Sequence, residues 1–273
     1  MRIITFLLTL FALLPPAAAL ELEGSFRQGG LVFGTTEPGT DVRLAERSVR
    51  VSPEGRFVIG FGRDAEGVAE LRLRYPDGRE EKRTFPIEKR TYDIQRIDGL
   101  PQKMVTPPDD VLARIRAENE KIARVRAVDR AEALFASGFV WPARGRISGV
   151  YGSRRVLNGE PKRPHYGVDV AAPVGTPITA PADGVVVLAE KDLYYTGGTV
   201  ILDHGHGLTS AFLHMQDVLV QVGARLRQGE PLGTLGGTGR VTGPHLDWRM
   251  NWFDQRVDPQ LLVGPMPGQS SGG

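Results

Sequence analysis

From residue 139 onward the chain is written in short β-branched runs broken by glycine, and a polypeptide of that texture has little choice but an antiparallel sheet. The runs "TPITAPADGVVVLAEK", "GGTVILDHGHGLTSAFLHM" and "GEPLGTLGGTG" carry no helical period. Their glycines suit hairpin turns and close backbone approach. The stretch "VLVQVGARLRQG", Val218 to Gly229, offers a helix as an alternative, but its alternation and internal glycine favour strand or loop. Residues 139–263 are therefore expected to form an antiparallel β domain, with 264–273 as a flexible tail.

The preceding part reads differently. Residues 20–105 alternate with a period of two in "SVRVS" and "LRLRY", and Pro-Gly, Pro-Glu-Gly and Pro-Asp-Gly supply turns. A small β-sandwich-like domain is expected there. Residues 106–138 contain "PPDDVLARIRAENEKIARVRAV", which begins as a helix should and sets Val111, Ile115, Ile122 and Val125 on roughly one face. A helical connector packed on the neighbouring domain follows. The fold class is thus mainly β.

The first nineteen residues carry a single cation at Arg2, an apolar run from Ile3 to Leu14, a Pro-Pro break and small residues at Ala17 and Ala19. That is the pattern of a cleaved signal peptide, with a mature chain beginning near Leu20. The run is shorter than the roughly 20 residues a bilayer span needs, so no stable membrane insertion is expected after cleavage. An exported protein, periplasmic or associated with the cell envelope, is the expectation. The chain has no cysteine, which excludes a lipidated cysteine and a disulfide framework. A formal charge of +2 with interleaved signs argues against a dedicated nucleic-acid binder.

All five histidines lie after residue 160. "PHYGVD" supplies His165 and Asp169, "LHM" supplies His214, and "PHLD" supplies His245 and Asp247. Imidazoles and carboxylates are what a borderline ion such as zinc takes in a catalytic site, where three protein ligands leave one position open. Each pair alone is a weak signal; together, in one glycine-rich β domain, they are a strong one. His204 and His206 in "DHGHG" read instead as exposed turn residues beside Gly205 and Gly207, without a metal role. Tyr194 and Tyr195 in "LYYTGGT" fit either a wall of a peptide groove or ordinary hairpin packing.

With "GVYGSRR", "HYGVDVAAPVGTPITAPADGVVV", "VILDHGHGLTSAFLHM" and "GEPLGTLGGTGRVTGPHLD", residues 140–262 resemble the catalytic domain of lysostaphin/LytM-type zinc metallopeptidases. The resemblance implies a duplicated hybrid motif fold. It also implies a zinc-dependent endopeptidase that hydrolyses the peptide stems or cross-bridges of bacterial peptidoglycan. By resemblance His165 and Asp169 would be metal ligands, and His214 and His245 would serve catalysis by orienting water, stabilising the oxyanion or passing a proton. The family's last ligand is the second histidine of a His-x-His pair, and here that position holds Asp247.

Asp247 has three readings at this point: a substituted zinc ligand, a ligand for a different metal, or the mark of a site that has lost its ion. Carboxylate oxygen binds zinc at about 2.0–2.2 Å, close to the imidazole distance, so the substitution is chemically permissible. Two carboxylates and one imidazole would make a formally neutral set around a divalent ion and weaken its acidity. The competing function is a degenerate LytM-type regulator that binds and activates a cell-wall amidase. Under either function the N-terminal domain would guide binding to the wall or to an envelope protein partner, or would cover the groove.

Overall fold

The computed structural model describes residues 20–267; the leader read in residues 1–19 lies outside them. Strands β1 (Glu21–Gly24), β2 (Leu31–Thr35), β3 (Asp41–Leu44), β4 (Arg47–Val49), β5 (Arg56–Gly60), β6 (Val68–Arg74) and β7 (Glu80–Pro86) form two antiparallel sheets, β1-β2-β5 and β4-β3-β6-β7. Alternation decides their faces. In β6, Leu71 and Leu73 are buried while Arg72 and Arg74 are exposed, as a strand with one wet face requires.

After β8 (Ile94–Ile97) come a one-turn helix α1 (Gln102–Val105) and the long helix α2 (Asp109–Arg126). Helix α2 opens on Pro108 with Asp109 and Asp110 in its first turn and closes with Arg124 and Arg126 in its last, charges that complement its dipole. Ile122 and Val125, two of the four residues on the expected apolar face, pack on the second domain. Lys121 pairs with Glu190, and Glu118 accepts from the Tyr194 amide at 2.9 Å, so the helix is also tied down at its rim. Exposed ion pairs of this kind contribute about 0–1 kcal/mol each, so the apolar contact carries most of the docking.

The remaining strands are β9 (Arg146–Gly149), β10 (Arg154–Leu157), β11 (Glu160–Lys162), β12 (Val168–Ala171), β13 (Pro177–Thr179), β14 (Gly184–Leu193), β15 (Gly197–Gly205), β16 (Leu208–Val218), β17 (Arg225–Leu226), β18 (Pro231–Leu235), β19 (Leu246–Trp252) and β20 (Gln255–Val257). Most join one large sheet in the order β17-β14-β15-β16-β19-β12-β9, with β13, β18 and β20 at its margins. Strand β8 pairs in parallel with β10, which ties the end of the N-terminal half into the second domain. Gly264 accepts from Trp141 Nε1 at 2.9 Å and Met266 is buried, so the segment expected as a loose tail begins docked.

The two faces of the large sheet have different neighbours. Val200, Leu202, Phe212, Trp248 and Met250 share one apolar core with Leu31, Phe57 and Ile59 of the sandwich. Ile201, Ala211 and Leu213 point the other way, toward Ile122 and Val125 of α2. The register places Leu213 opposite Asp247 and Ala211 opposite Arg249, so Asp247 and Arg249 stand on the face where α2 packs. Among the described residues no helix is long and apolar enough to cross a membrane.

Candidate metal centre

Asp169 on β12 lies directly opposite Asp247 on β19. Like charges in that relation repel, and both carboxylates are buried, at 5% and 1% exposure. Each has its own guanidinium. Arg155 Nη2 donates to Asp169 Oδ2 at 3.0 Å, and Arg249 forks onto Asp247 through Nη2 at 2.5 Å and Nε at 3.0 Å. Burial and the Asp247 charge push the Asp169 carboxyl up, but His165 and Arg155 outweigh them and leave it below the usual range. Burial likewise opposes ionisation of Asp247, and Arg249 with His165 overcomes it by a wide margin. Both acids are ionised at neutral pH.

Two glycines make room for them. A Cβ on Gly149 would sit 2.2 Å from Asp169 Oδ2, and one on Gly167 would sit 2.4 Å from Asp247 Oδ1. No side chain fits at either place without displacing a carboxylate.

His165 precedes β12 in a loop pinned by its own backbone: its N–H donates to Ser153 O at 2.9 Å and its carbonyl accepts from Gly152 at 2.7 Å. The side chain is buried, yet neither ring nitrogen has a hydrogen-bond partner, and neither does Asp169 Oδ1. His165 Nε2 and Asp169 Oδ1 approach to 3.0 Å without hydrogen-bond alignment. A buried polar atom left unpaired costs about 1–3 kcal/mol, so three gathered at one point call for a missing partner. One nitrogen of His165 and one oxygen each of Asp169 and Asp247 lie within 4.8 Å of one another. This donor set fits a divalent cation. Its weak corner is Asp247, both of whose oxygens already accept from Arg249.

Two further imidazoles adjoin the cluster. His214, at φ 65°, sits in the left-handed region that non-glycine residues rarely adopt, where β16 loses register with its neighbours. Its Nδ1 donates to Thr238 O at 2.8 Å, which leaves Nε2 as the acceptor. Burial pushes its pKa down to about 4, with the nearby Asp247 opposing and His245 assisting. His245 is tied in the same way, Nδ1 to Gly243 O at 2.8 Å, and its Nε2 lies 3.8 Å from Asp169 Oδ1. The two rings are 4.9 Å apart, centroid to centroid. His214 is thus held neutral, and both rings keep a basic nitrogen free.

The structure brings together all five side chains picked out by the sequence, His165, Asp169, His214, His245 and Asp247. It corrects the reading of His204 and His206, which are buried rather than exposed. His204 donates from Nδ1 to Asp183 O and accepts at Nε2 from Ser210 Oγ, both at 2.7 Å; His206 Nε2 donates to Ala131 O at 3.0 Å. Their rings pack edge-on against Phe139 and Phe135, so they brace the connector against the sheet. Tyr194 is held outside the cluster by α1, its hydroxyl donating to Lys103 O at 2.8 Å, while Tyr195 lies under Arg240. Arg155 and Arg249 were not singled out by sequence, although the alternation of "LDWR" does put Arg249 on the face of Asp247.

The profile of Peptidase family M23 matches residues 163–259, a span that contains the five gathered side chains and Arg249 but not Arg155. Residues 163–259 are a peptidase family M23 domain. The M23 domain resembles peptidoglycan DD-endopeptidase ShyC of Vibrio cholerae serotype O1, 47% identical over 131 residues covering 46% of this chain and 29% of that protein. It also resembles peptidoglycan DD-endopeptidase ShyA of the same organism, 41% identical over 107 residues covering 38% of this chain and 24% of that protein. The chain spans less than a third of the length of these curated relatives. A solved structure assigned to peptidase M23 from Pseudomonas aeruginosa superposes with a TM-score of 0.68 at 28% identity, covering 87% of this chain and 95% of that one. The likeness therefore extends beyond the M23 domain into the N-terminal half.

Proposed function

We propose that the chain is an exported, zinc-dependent endopeptidase that hydrolyses peptide cross-links of peptidoglycan in the cell envelope. The observation that carries the reading is the buried trio of orphaned donor atoms on His165 and Asp169 beside two imidazoles with free Nε2 atoms. His165, Asp169 and Asp247 would hold the ion. Bound there, zinc would supply a Lewis acid for an amide carbonyl and a nucleophilic hydroxide near neutral pH.

The chain's own residues do the rest. Arg155 and Arg249 keep both carboxylates ionised, and their positive charges offset part of the negative charge those carboxylates would place on the ion. His214 and His245 accept a proton at Nε2 and return it to the leaving amine, since their Nδ1 atoms are committed to carbonyls. The left-handed backbone at His214 fixes that ring before substrate arrives.

The Arg249 fork favours one other reading, a metal-free M23 regulator of a cell-wall amidase. A carboxylate occupied on both oxygens is a poorer third ligand. Zinc content separates the two: about one ion per chain after zinc loading supports the enzyme, and an empty site supports the regulator. Mass spectrometry of a peptidoglycan digest then reads the bond cut, and an intact digest from zinc-loaded protein would remove the enzyme reading.

Gly167→Ala tests the built site. Its methyl group must push Asp247 and Arg249 aside, so zinc affinity should fall about 10–100-fold, the scale seen when groups supporting a metal ligand are disturbed. Overpacking should also lower stability by about 1–3 kcal/mol. Zinc titration and urea unfolding read the two effects, and wild-type affinity in this variant would mean that the carboxylate position is irrelevant to binding.

A further inference from the structure

Between α2 and the face of the large sheet on which it packs lies a cavity of about 840 Å³ whose lining includes Arg47, Arg126, Arg163, Arg249 and Arg256. One carboxylate, Asp254, lines it, and Arg47 already pairs with that group at 2.7 Å. Arg249 is committed to Asp247. Among the described residues, Arg126, Arg163 and Arg256 have no carboxylate at ion-pair distance; Arg256 has only the Asn251 amide oxygen at 3.1 Å and the Tyr166 ring. The Nε of Arg126 is buried with no partner at all.

Arg163 is exposed, but Arg126 and Arg256 are half-buried without a carboxylate, and guanidinium groups that lose water beside one another repel. Burial, then the Arg249 charge, push Arg256 down to about 10, and burial with the Arg256 and Arg249 charges pushes Arg126 well below its ordinary value. An anionic guest would restore the balance. Guanidinium groups prefer planar carboxylates, which they bind through two parallel hydrogen bonds.

The cavity adjoins the candidate metal centre. Arg249 belongs to both, and the lining residue Leu213 precedes His214. We propose that this arginine cavity is a substrate subsite that takes the free carboxylates of an acidic peptide, the stem carboxylates if the peptidoglycan reading holds, while the bond to be cut rests at His214 and His245. Its volume lies within the range of cavities that bury a ligand of several residues. The proposal rests on the reading above for the identity of the peptide, and on the cavity for its charge.

Binding of a fluorescent stem tetrapeptide to the full chain, read by anisotropy, tests it without hydrolysis. Arg126→Gln and Arg163→Gln should each weaken the peptide with free carboxylates by about tenfold or more, the worth of one charge-assisted hydrogen bond. The same peptide with its carboxyl groups converted to primary amides should bind weakly and respond to neither variant. Equal losses for both peptides, or no loss for either, would overturn the subsite. Displacement of the tetrapeptide by an equal concentration of inorganic phosphate would also overturn it, since the cavity would then be a general anion site. Charge-dependent binding by a chain that cuts no peptidoglycan would leave the subsite standing and remove the enzyme reading alone.

Discussion

His165→Ala is expected to abolish the zinc-induced rise in melting temperature and to reduce peptidoglycan hydrolysis by at least about a thousandfold. The imidazole supplies the nitrogen donor of the cluster, and its two ring nitrogens are buried without partners. A ligand present at about 100 times its Kd stabilises the folded state by about 2.7 kcal/mol. For a chain of this size that corresponds to a shift of about 5–11 °C in wild type. The variant should melt at one temperature with or without zinc. The activity figure follows from losing the electrophile that stabilises the tetrahedral state, where even a single oxyanion donor is worth about 10²–10³. His214→Ala provides the contrast. It should keep the zinc shift and lose about 10²–10⁴ in rate, the contribution of one general acid or base. A full zinc shift in His165→Ala would show that the ion, if there is one, binds elsewhere.

How much of this site was legible depends on the distance over which each contact is made. His165 and Asp169 were visible because five consecutive residues contain both. Asp247 and Arg249 share one face of β19 by simple alternation, with His245 immediately before the strand, so the Asp247–Arg249 pair was within reach of the sequence alone. Arg155 was not: its strand β10 reaches Asp169 only through the tertiary fold, with β8 as its parallel partner. The arginine cavity was hidden for the same reason, since Arg47, Arg126, Arg163 and Arg256 come from four separate segments. His204 and His206 show the opposite error. Flanking glycines suggested an exposed turn, but Gly205 lets the connector lie against the backbone at Glu132, His206 became a buried hydrogen-bonding partner of connector residue Ala131, and His204 was buried between Asp183 and Ser210.

Asp247→His alone is expected to fail where Asp247→His with Arg249→Gln succeeds. Restoring a histidine at residue 247 provides the family's third ligand, and by sequence it should load metal readily. The structure adds a penalty: the substitution strips Arg249 of its carboxylate and leaves a guanidinium beside an arriving cation. Breaking a buried ion pair by removing one partner typically costs about 3–5 kcal/mol. Arg249 is 23% exposed, so about 2–3 kcal/mol of fold stability should be lost in the single variant. At about 6 Å and an effective dielectric of 20, the unpaired charge would also oppose the divalent ion by about 5–6 kcal/mol, or roughly ten-thousandfold in affinity. Arg249→Gln removes both effects, so the double variant should regain stability and bind zinc more tightly than either single variant. Urea unfolding and zinc titration of the four proteins in this cycle give the coupling directly. If Asp247→His alone matches the double variant in both measurements, the Arg249 fork does not govern the site. If wild type binds no zinc while the double variant binds one ion per chain, Asp247 with its arginine is a lock that closed an ancestral metal centre, and the regulator reading replaces the enzyme.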